Sequence, residues 1–321
     1  MAGPLRPSVP FVVNAVPPLR PVPSGESAHI SQRQDEPEHL RRLLAYSHLY
    51  KNAQWWRRIR TTGTFTLAIA APIFAFAIPA TTDILAAISA GWLVLGRTVL
   101  SGLERRGVGK AVRAHELYDT KLFHLPWNTA LAGRPPVPDD IAAAASHISD
   151  DTFYRGWFSV NLGNTPWPAD VLLCQRQSAV WSRRDHQAYG TTILLVGLGW
   201  FLVGATIAIV GELTLADYLI KIFLPSSPAF LDSVELAREH WRHAVAREQV
   251  ENDIHDLWDH YRSTPASLPA GECRQIQDAA FLLRRDGPRV PNFFYRIRRK
   301  RSSASTAAGT QAILNDSADA H

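Results

Sequence analysis

Six side chains of the types that bind metal ions lie close together in the last third of the sequence. They are His240, His243, His255, Asp256, Asp259 and His260. Asp256 and His260 are four residues apart and would share one face of a helix, but the other spacings match no common zinc pattern. We therefore predict solvated or packed histidines here, with no metal ion and no cofactor.

Other groupings could support acid–base or nucleophilic chemistry. His115, Glu116 and Asp119 fall on one predicted helix, where capping or salt bridges are the simpler interpretation. Cys174 lies near an arginine, and such a thiol can be reactive, although a buried structural cysteine is the simpler interpretation. The sequence has no HExxH, GxGxxG, Walker, GxSxG or CxxC motif. We therefore predict that the protein is not an enzyme.

Composition and charge exclude several classes of protein. The chain has 321 residues, of which 46% are hydrophobic and 20% charged, so it is neither disordered throughout nor fibrous. A formal net charge of +5 is too small an excess to indicate DNA or RNA as a partner. The two cysteines show no pairing pattern, which fits a reducing compartment.

The apolar residues are concentrated in two long stretches. Residues 61–82 and 187–211 contain no charged side chain, although the mean hydropathy of the chain is only −0.10. A helix needs about 20 apolar residues to cross a bilayer. The pattern therefore predicts a helical membrane protein whose first partner is the lipid bilayer.

The first apolar stretch opens a predicted transmembrane hairpin over residues 61–102. Its two spans are Thr61–Ala80 and Ile84–Gly102, joined by a tight turn. Arg97 interrupts the second span, but it lies near enough to the end of that span to reach the lipid headgroups.

The second predicted hairpin covers residues 191–231. Thr191–Gly211 is the clearest span in the chain, whereas Leu213–Leu231 carries Asp217 and Lys221. These two residues are four apart, so they can pair on one face of a helix. If the segment crosses the membrane, the pair could line a pore or support assembly; if it lies on the surface, both are ordinary interfacial charges.

The predicted fold is all-α, with two transmembrane hairpins of about four spans and a cytoplasmic helical part. Basic residues flank the bases of both hairpins and are absent from the tips. The positive-inside rule therefore predicts a multi-pass inner-membrane protein with both termini in the cytoplasm. The other predicted segments are a Pro-rich disordered arm at 1–30, a helix at 31–60, helical regions at 103–188 and 232–299, and a disordered tail at 300–321.

A basic cluster, Arg296–Arg301, precedes the predicted tail. It could bind anionic lipid headgroups or form part of a solvated tail. The membrane spans elsewhere in the chain favour contact with lipid.

Several short strings occur in a fixed order around the two hairpins. They include DTKLFHLPWNTALAG at 119–133, CQRQSAVW at 174–181 and QIQDAAFLLRRDGPRVPNFFYRIRR at 275–299. In this order they resemble the SMODS-associating four-transmembrane effector family of bacteria, over about Ile30 to Arg299. The sequence departs from the family pattern at Ser178 and Ser182, where Asn and Asp are usual, so this member could bind a ligand differently.

The resemblance implies a pore-forming or membrane-disrupting effector of anti-phage defence, whose cytoplasmic helices sense a cyclic oligonucleotide. An anionic nucleotide requires basic side chains for its phosphates and aromatic faces for its bases. Each of the candidates also has a simpler interpretation, as a charge that sets the topology or as a core or interfacial aromatic residue. The candidates are Trp157, Arg176, Trp181, Arg183 and Arg184.

Two classes of function are compatible with these features. In the first, several copies assemble into a pore, because one four-helix protomer has no obvious polar lumen. The pore would place Asp217 and Lys221 inside the bilayer. In the second, the protein is a membrane-anchored scaffold whose cytoplasmic helices bind a protein partner.

Overall fold

The computed structural model describes residues 29–264 and 268–318 of the chain. All regular secondary structure in these two ranges is helical, which confirms the predicted all-α class. The helices are α1 (Ile30–Arg33), α2 (Pro37–Ala77), α3 (Thr82–Leu95), α4 (Ser101–Leu122), α5 (Thr129–Ala132), α6 (Pro138–Ala145), α7 (Ala169–Val210), α8 (Leu215–Tyr218), α9 (Leu224–Ser263), α10 (Ala270–Asp286) and α11 (Asn292–Ala318).

Two short π-helical turns make longer rods from these helices. Gly96–Leu100 joins α3 to α4, and Leu219–Phe223 joins α8 to α9. A third short element, the 3-10 turn Pro79–Thr81, links α2 to α3 at the tip of the first hairpin. π-Helical turns occur often at functional sites.

Four long helical rods pack as two hairpins. α2 lies along α4 in the first hairpin, and α7 lies along α9 in the second. Glycine residues permit the close approach of the two helices in each hairpin. In the first hairpin, a Cβ atom added to Gly107 would lie 3.0 Å from Ala53 Cβ, and in the second, a Cβ atom added to Gly197 would lie 3.2 Å from Ser233 Cβ. The two hairpins also contact each other through α2 and α9.

One end of the hairpins exposes large apolar side chains. This apolar end consists of residues 61–100 and 191–231, and the other described residues form the polar body. Among the described residues, two helices are long and apolar enough to cross a membrane, Asp83–Leu122 and Ala169–Val210. They contain the second and third of the four predicted spans. Exposed residues of the apolar end include Ile69, Ile73, Ile84, Ile88, Val94, Leu195, Leu202, Ile209, Val210, Leu215 and Ile220.

The hydrophobic core lies in the polar body. It joins the first turns of α2 and α7 to α4, α6, α9 and α10. Tyr118, Leu122 and Leu172 are fully buried at its centre, and burial of one such side chain stabilises the fold by about 1.5–3 kcal/mol.

The C-terminal segment differs from its prediction. The sequence predicts a disordered tail at 300–321, but α11 continues to Ala318. Thr306 and Thr310 are buried, and α11 packs against α7, so a tertiary contact orders residues whose composition is typical of disorder. Residues 1–28 of the predicted arm at 1–30 lie outside the described residues.

Candidate functional site

The structure brings the two predicted tryptophans together. Trp157 and Trp181 pack edge to face, with ring centroids 6.3 Å apart and 78° between the ring planes. Trp157 also packs against Tyr46 and Tyr295, at centroid distances of 6.4 and 6.1 Å. Trp181 is buried, and its Nε1 has no hydrogen-bond partner among the described residues. Because the rings fill this space themselves, a nucleotide base could stack here only after they separate.

The three predicted arginines lie on α7, two of them against neighbouring helices. Arg176 is buried; its Nε lies 2.9 Å from His255 Nε2, and its Nη1 donates to Thr310 Oγ1 at 3.2 Å. Arg183 Nε lies 2.8 Å from Glu251 Oε2, and Arg184 is partly buried. Binding of a phosphate by Arg176 or Arg183 would therefore require an exchange of these partners.

A buried ion network joins α4 to α10. Arg274 Nη2 donates to Glu116 Oε1 at 2.6 Å and to Asp278 Oδ1 at 2.7 Å. Arg284 Nη1 lies 2.5 Å from Asp119 Oδ2. Burial would raise the pKa of Asp119, but the charge of Arg284, the nearby His115 and the hydrogen bonds from Gln277 and Arg284 together outweigh burial and hold the pKa below its ordinary value. Glu116 and Asp119 therefore form ion pairs with Arg274 and Arg284. A salt-bridge role was the simpler interpretation of these residues in the sequence.

A second group of basic residues, the arginine cluster, consists of Arg57, Arg247, Arg284 and Arg289. Arg57 Nη1 donates to the carbonyl of Arg289, and Arg289 Nη2 donates to the carbonyl of Arg284. Burial, followed by the nearby charges of Arg289 and Arg284, lowers the pKa of Arg247 to about 9. Sequence reasoning missed this cluster because its members come from α2, α9, α10 and the loop after α10, and no local spacing links them.

A cavity of about 40 Å³ lies beside the arginine cluster, between α7, α9 and α10. Arg247, Arg284 and the two serines at which the sequence departs from the family pattern, Ser178 and Ser182, contribute to its lining. Arg247 Nε donates to Ser182 Oγ at 2.5 Å. The departure at residue 182 thus places a neutral hydroxyl next to a buried guanidinium.

A larger cavity of about 570 Å³, the boundary cavity, lies where the apolar end meets the polar body. Its volume is within the range of ligand pockets, but the charges along its wall are balanced, so it does not favour an anion. The charged lining residues are Arg57, Arg60, Arg97, Arg105, Glu104, Asp232, Glu235 and Glu239.

The charges of the apolar end form two separate ion pairs. Lys221 Nζ lies 2.7 Å from Asp217 Oδ1, and both side chains are a little over one-third exposed. Arg97 pairs with Asp232 of the other hairpin. The Asp217–Lys221 pair that the spacing predicted is present, and its position in a pore stays a prediction.

Histidines of α7 and α9 also meet in the polar body. His240 Nδ1 lies 2.9 Å from His186 Nδ1. Burial, together with the charges of Arg57 and Arg247, lowers the pKa of His240 to about 3, so this ring is neutral at physiological pH. Within the described ranges, no three His, Cys, Asp or Glu side chains converge as a metal site requires.

Two members of the predicted basic cluster 296–301 contact the polar body. Arg296 lies over the ring of Phe153, 5.1 Å from its centroid. Arg298 Nε donates to Asp185 Oδ1 at 3.2 Å. These two side chains are therefore held by protein groups. The side chains of residues 299–301 lie outside the described part of the structure, and lipid contact of the cluster stays a prediction.

Comparison with known proteins decides the family. The model of the SMODS-associating 4TM effector domain matches residues 28–313. The chain belongs to the SMODS-associating 4TM effector family. It is also similar to a probable CBASS effector molecule of Bacillus cereus (strain VD146), with 22% identity over 282 residues that cover 84% of this chain and 93% of that protein. No solved structure matches the chain.

In this SMODS-associating 4TM effector, the three sequence segments on which the family resemblance is based contact one another at α10. Asn128 Nδ2 donates to Asp278 Oδ2 at 3.0 Å, and Gln175 Nε2 donates to Gln277 Oε1 at 3.3 Å. The segments 119–133, 174–181 and 275–299 are thus joined around α10. These three segments of the chain therefore pack together within the polar body.

Proposed function

We propose that this protein is an inner-membrane effector of anti-phage defence that permeabilises the membrane when a cyclic oligonucleotide binds to its polar body. Membership of the SMODS-associating 4TM effector family supports the effector role. The similarity to a probable CBASS effector also supports it. The structural observation that carries the proposal is the exposed apolar end.

The apolar end has the chemistry and the length of a membrane-embedded unit. Soluble proteins rarely expose large contiguous apolar patches, yet Ile209, Val210 and Leu215 at one hairpin tip are 78%, 79% and 73% exposed. Each of the four rods runs about 18 residues from the boundary cavity to its hairpin tip, which is about 27 Å. This matches the roughly 30 Å hydrocarbon core of a bilayer. We therefore infer four spans.

A pore of this kind would form between protomers. α7 and the π-helical turn Leu219–Phe223 are too close for a water path between them, since an added side-chain carbon at Gly204 would lie 3.1 Å from Ile222 Cγ2. The partly exposed Asp217–Lys221 pair lies on the protomer surface, where a neighbouring copy would bury it. Charged side chains inside a membrane generally face a bundle interior or water. A homo-oligomer that encloses these pairs accounts for their position.

The sensing residues are connected to the membrane through one continuous helix. Arg176, Trp181 and Arg183 lie on α7, which continues without a break to Val210 at the hairpin tip. A ligand that exchanged the partners of Arg176 would change the contacts between α7, α9 and α11. Such a difference in contacts between two states is what a ligand-driven switch requires.

Dye release from liposomes that contain the purified protein tests the proposal. Cyclic di- and trinucleotides are added one at a time, and release with one of them and not the others is the expected result. Arg176→Ala is expected to abolish this release, whereas Arg42→Ala, at an exposed pair on α2, leaves it unchanged. Insertion without release for every nucleotide would contradict the proposal and favour the membrane-anchored scaffold.

A labelling experiment tests the four spans separately. Single cysteines replace Asp83 and Glu212, one near each hairpin tip, and spheroplasts are treated with a membrane-impermeant maleimide. The natural Cys174 and Cys273 are buried, and burial raises the pKa of both thiols, so they contribute little background. Labelling at both positions is expected. Labelling at neither would contradict the predicted orientation.

A further inference from the structure

The positive charges of the arginine cluster outnumber the carboxylates that form ion pairs with them in the described part of the chain. In the arginine cluster, Arg57 and Arg247 are 9% and 5% exposed, and Arg284 and Arg289 are partly buried. Asp119 pairs with Arg284. The described part of the chain places no carboxylate in an ion pair with Arg57, Arg247 or Arg289. Glu104 and Glu239 act on Arg57 at longer range, and Glu104 acts on Arg289. Buried charges without a counter-ion cost several kcal/mol, so the charge of Arg247 requires compensation.

Arg247 is the clearest case, because all of its partners are neutral. Its Nε donates to Ser182 Oγ at 2.5 Å, its Nη1 to the carbonyl of His243 at 3.0 Å and its Nη2 to the carbonyl of Leu283 at 3.3 Å. These hydrogen bonds with carbonyl and hydroxyl oxygens use three of the five N–H donors of the guanidinium and leave its charge in place. An anion beside the guanidinium would neutralise it.

The cavity of about 40 Å³ offers the space for such an anion. It has room for a few water molecules, which suits one small oxyanion group and excludes a whole nucleotide. Its described lining contains no carboxylate, in contrast to the boundary cavity. The polar groups of its wall are the side chains of Gln175, Ser178, Ser182, Arg247, Gln277 and Arg284.

We propose that this cavity binds a phosphate-class oxyanion, with Arg247 and Arg284 as the charged partners and the hydroxyls of Ser178 and Ser182 as neutral donors. A planar guanidinium matches the geometry of a phosphate group and can bind it through two nitrogen atoms. The anion would join α7, α9 and α10 at the point where the buried charge is in excess. This inference does not depend on the proposed permeabilisation of the membrane.

The position of Ser182 allows a direct test. In a Ser182→Asp variant, a carboxylate would replace the hydroxyl beside Arg247 Nε and act as an internal counter-ion that competes with the bound anion. Ser182→Asn is the matched control, because its side chain has the same size and no charge. Arg247→Lys is a second variant, since it keeps the positive charge but removes the planar guanidinium group that can bind a phosphate through two nitrogen atoms.

The measurement is the thermal unfolding of the full-length protein in detergent, with sodium phosphate titrated against sodium chloride at constant ionic strength. We expect phosphate to raise the Tm of the wild type and of Ser182→Asn. In Ser182→Asp and Arg247→Lys, the apparent phosphate affinity is expected to fall at least tenfold. An equal response of Ser182→Asp and the wild type would overturn the proposal.

A parallel titration with a cyclic dinucleotide distinguishes free phosphate from a phosphodiester. A response to inorganic phosphate that Ser182→Asp removes identifies a site for free phosphate. A response to the dinucleotide alone, again removed by Ser182→Asp, identifies a site for one phosphodiester of a larger ligand. No shift of the wild-type Tm with either compound would also overturn the proposal. None of these readouts involves release from liposomes, so the two proposals can fail independently.

Discussion

Arg97 Nη2 lies 2.6 Å from Asp232 Oδ1 and 3.6 Å from Glu235 Oε2, so an ion pair joins the first hairpin to the second. Arg97 lies in the π-helical turn Gly96–Leu100, and both Arg97 and Asp232 line the boundary cavity. The prediction that Arg97 reaches the headgroup level is therefore compatible with a more specific contact, an ion pair between hairpins.

Reversing one charge of this pair is expected to separate the two hairpins at their base. Asp232→Arg places two positive charges together, and we expect basal dye release without nucleotide to rise severalfold. The double variant Arg97→Asp/Asp232→Arg restores attraction and should return release to the wild-type level. Because the pair is partly exposed, the free energy of unfolding should change by no more than about 1 kcal/mol. Equal leakage from the single and double variants would show that the pair does not hold the hairpins.

A larger residue at Gly197 is expected to destabilise the second hairpin. An added side-chain carbon there would lie 3.2 Å from Ser233 Cβ, whereas none of the described atoms lies within 4 Å of the same position at Gly199. Overpacking costs about 1–3 kcal/mol, so Gly197→Leu should lower the Tm in detergent. Gly199→Leu is the control and should be neutral or stabilising, because leucine favours a helix over glycine. Similar losses at both sites would refute the close contact between α7 and α9.

Removal of Arg274 is expected to be strongly destabilising. Arg274→Met leaves the buried carboxylate of Glu116, which is 1% exposed, without its charged partner. Breaking a buried ion pair in this way costs about 3–5 kcal/mol. Arg42→Met, which breaks the exposed pair with Glu38, should cost less than about 1 kcal/mol. Chemical denaturation of the two variants measures the difference, and equal losses would contradict the buried network.

Asp185 is expected to make stability depend on pH. Burial raises its pKa from 3.8 to about 6, although Arg298 opposes the shift. Folding therefore favours the protonated carboxyl, and this contribution is present below about pH 4 and lost as the pH rises through 6. The loss is about 3 kcal/mol at 1.36 kcal/mol per pKa unit.

Asp185→Asn separates this contribution from all other titrating groups. The variant should be more stable than the wild type at pH 7.5, and the difference should disappear near pH 4. The free energy of unfolding of both proteins across this range provides the test. A constant difference at every pH would show that Asp185 does not titrate as its burial predicts.

Several features of the fold were predictable from the sequence because they depend on local patterns. Helical periodicity in 31–60, 103–188 and 232–299 indicated the helices of the polar body. Apolar runs, two of them interrupted by charged residues, indicated the hairpins. The disordered tail was predicted wrongly, because the order of Thr306 and Thr310 comes from packing on α7, which lies more than a hundred residues earlier.

The candidate site was predictable only in part. The sequence indicated Trp157 and Trp181, and the structure joins their rings. It also indicated Arg176 and Arg183, but the partners that hold them, His255 and Glu251, belong to another helix. The arginine cluster was not predictable, since basic residues spread over four segments look like ordinary surface charges.

The sequence by itself determined the helical class, the two apolar hairpins and the family, since each depends on residue types in a linear order. Only the tertiary structure decided which charges are compensated. Arg284 has Asp119, whereas Arg247 has Ser182 and two carbonyls. The free energy of a buried charge depends on the groups within a few ångströms of it, and in this protein those groups come from helices far apart in the chain.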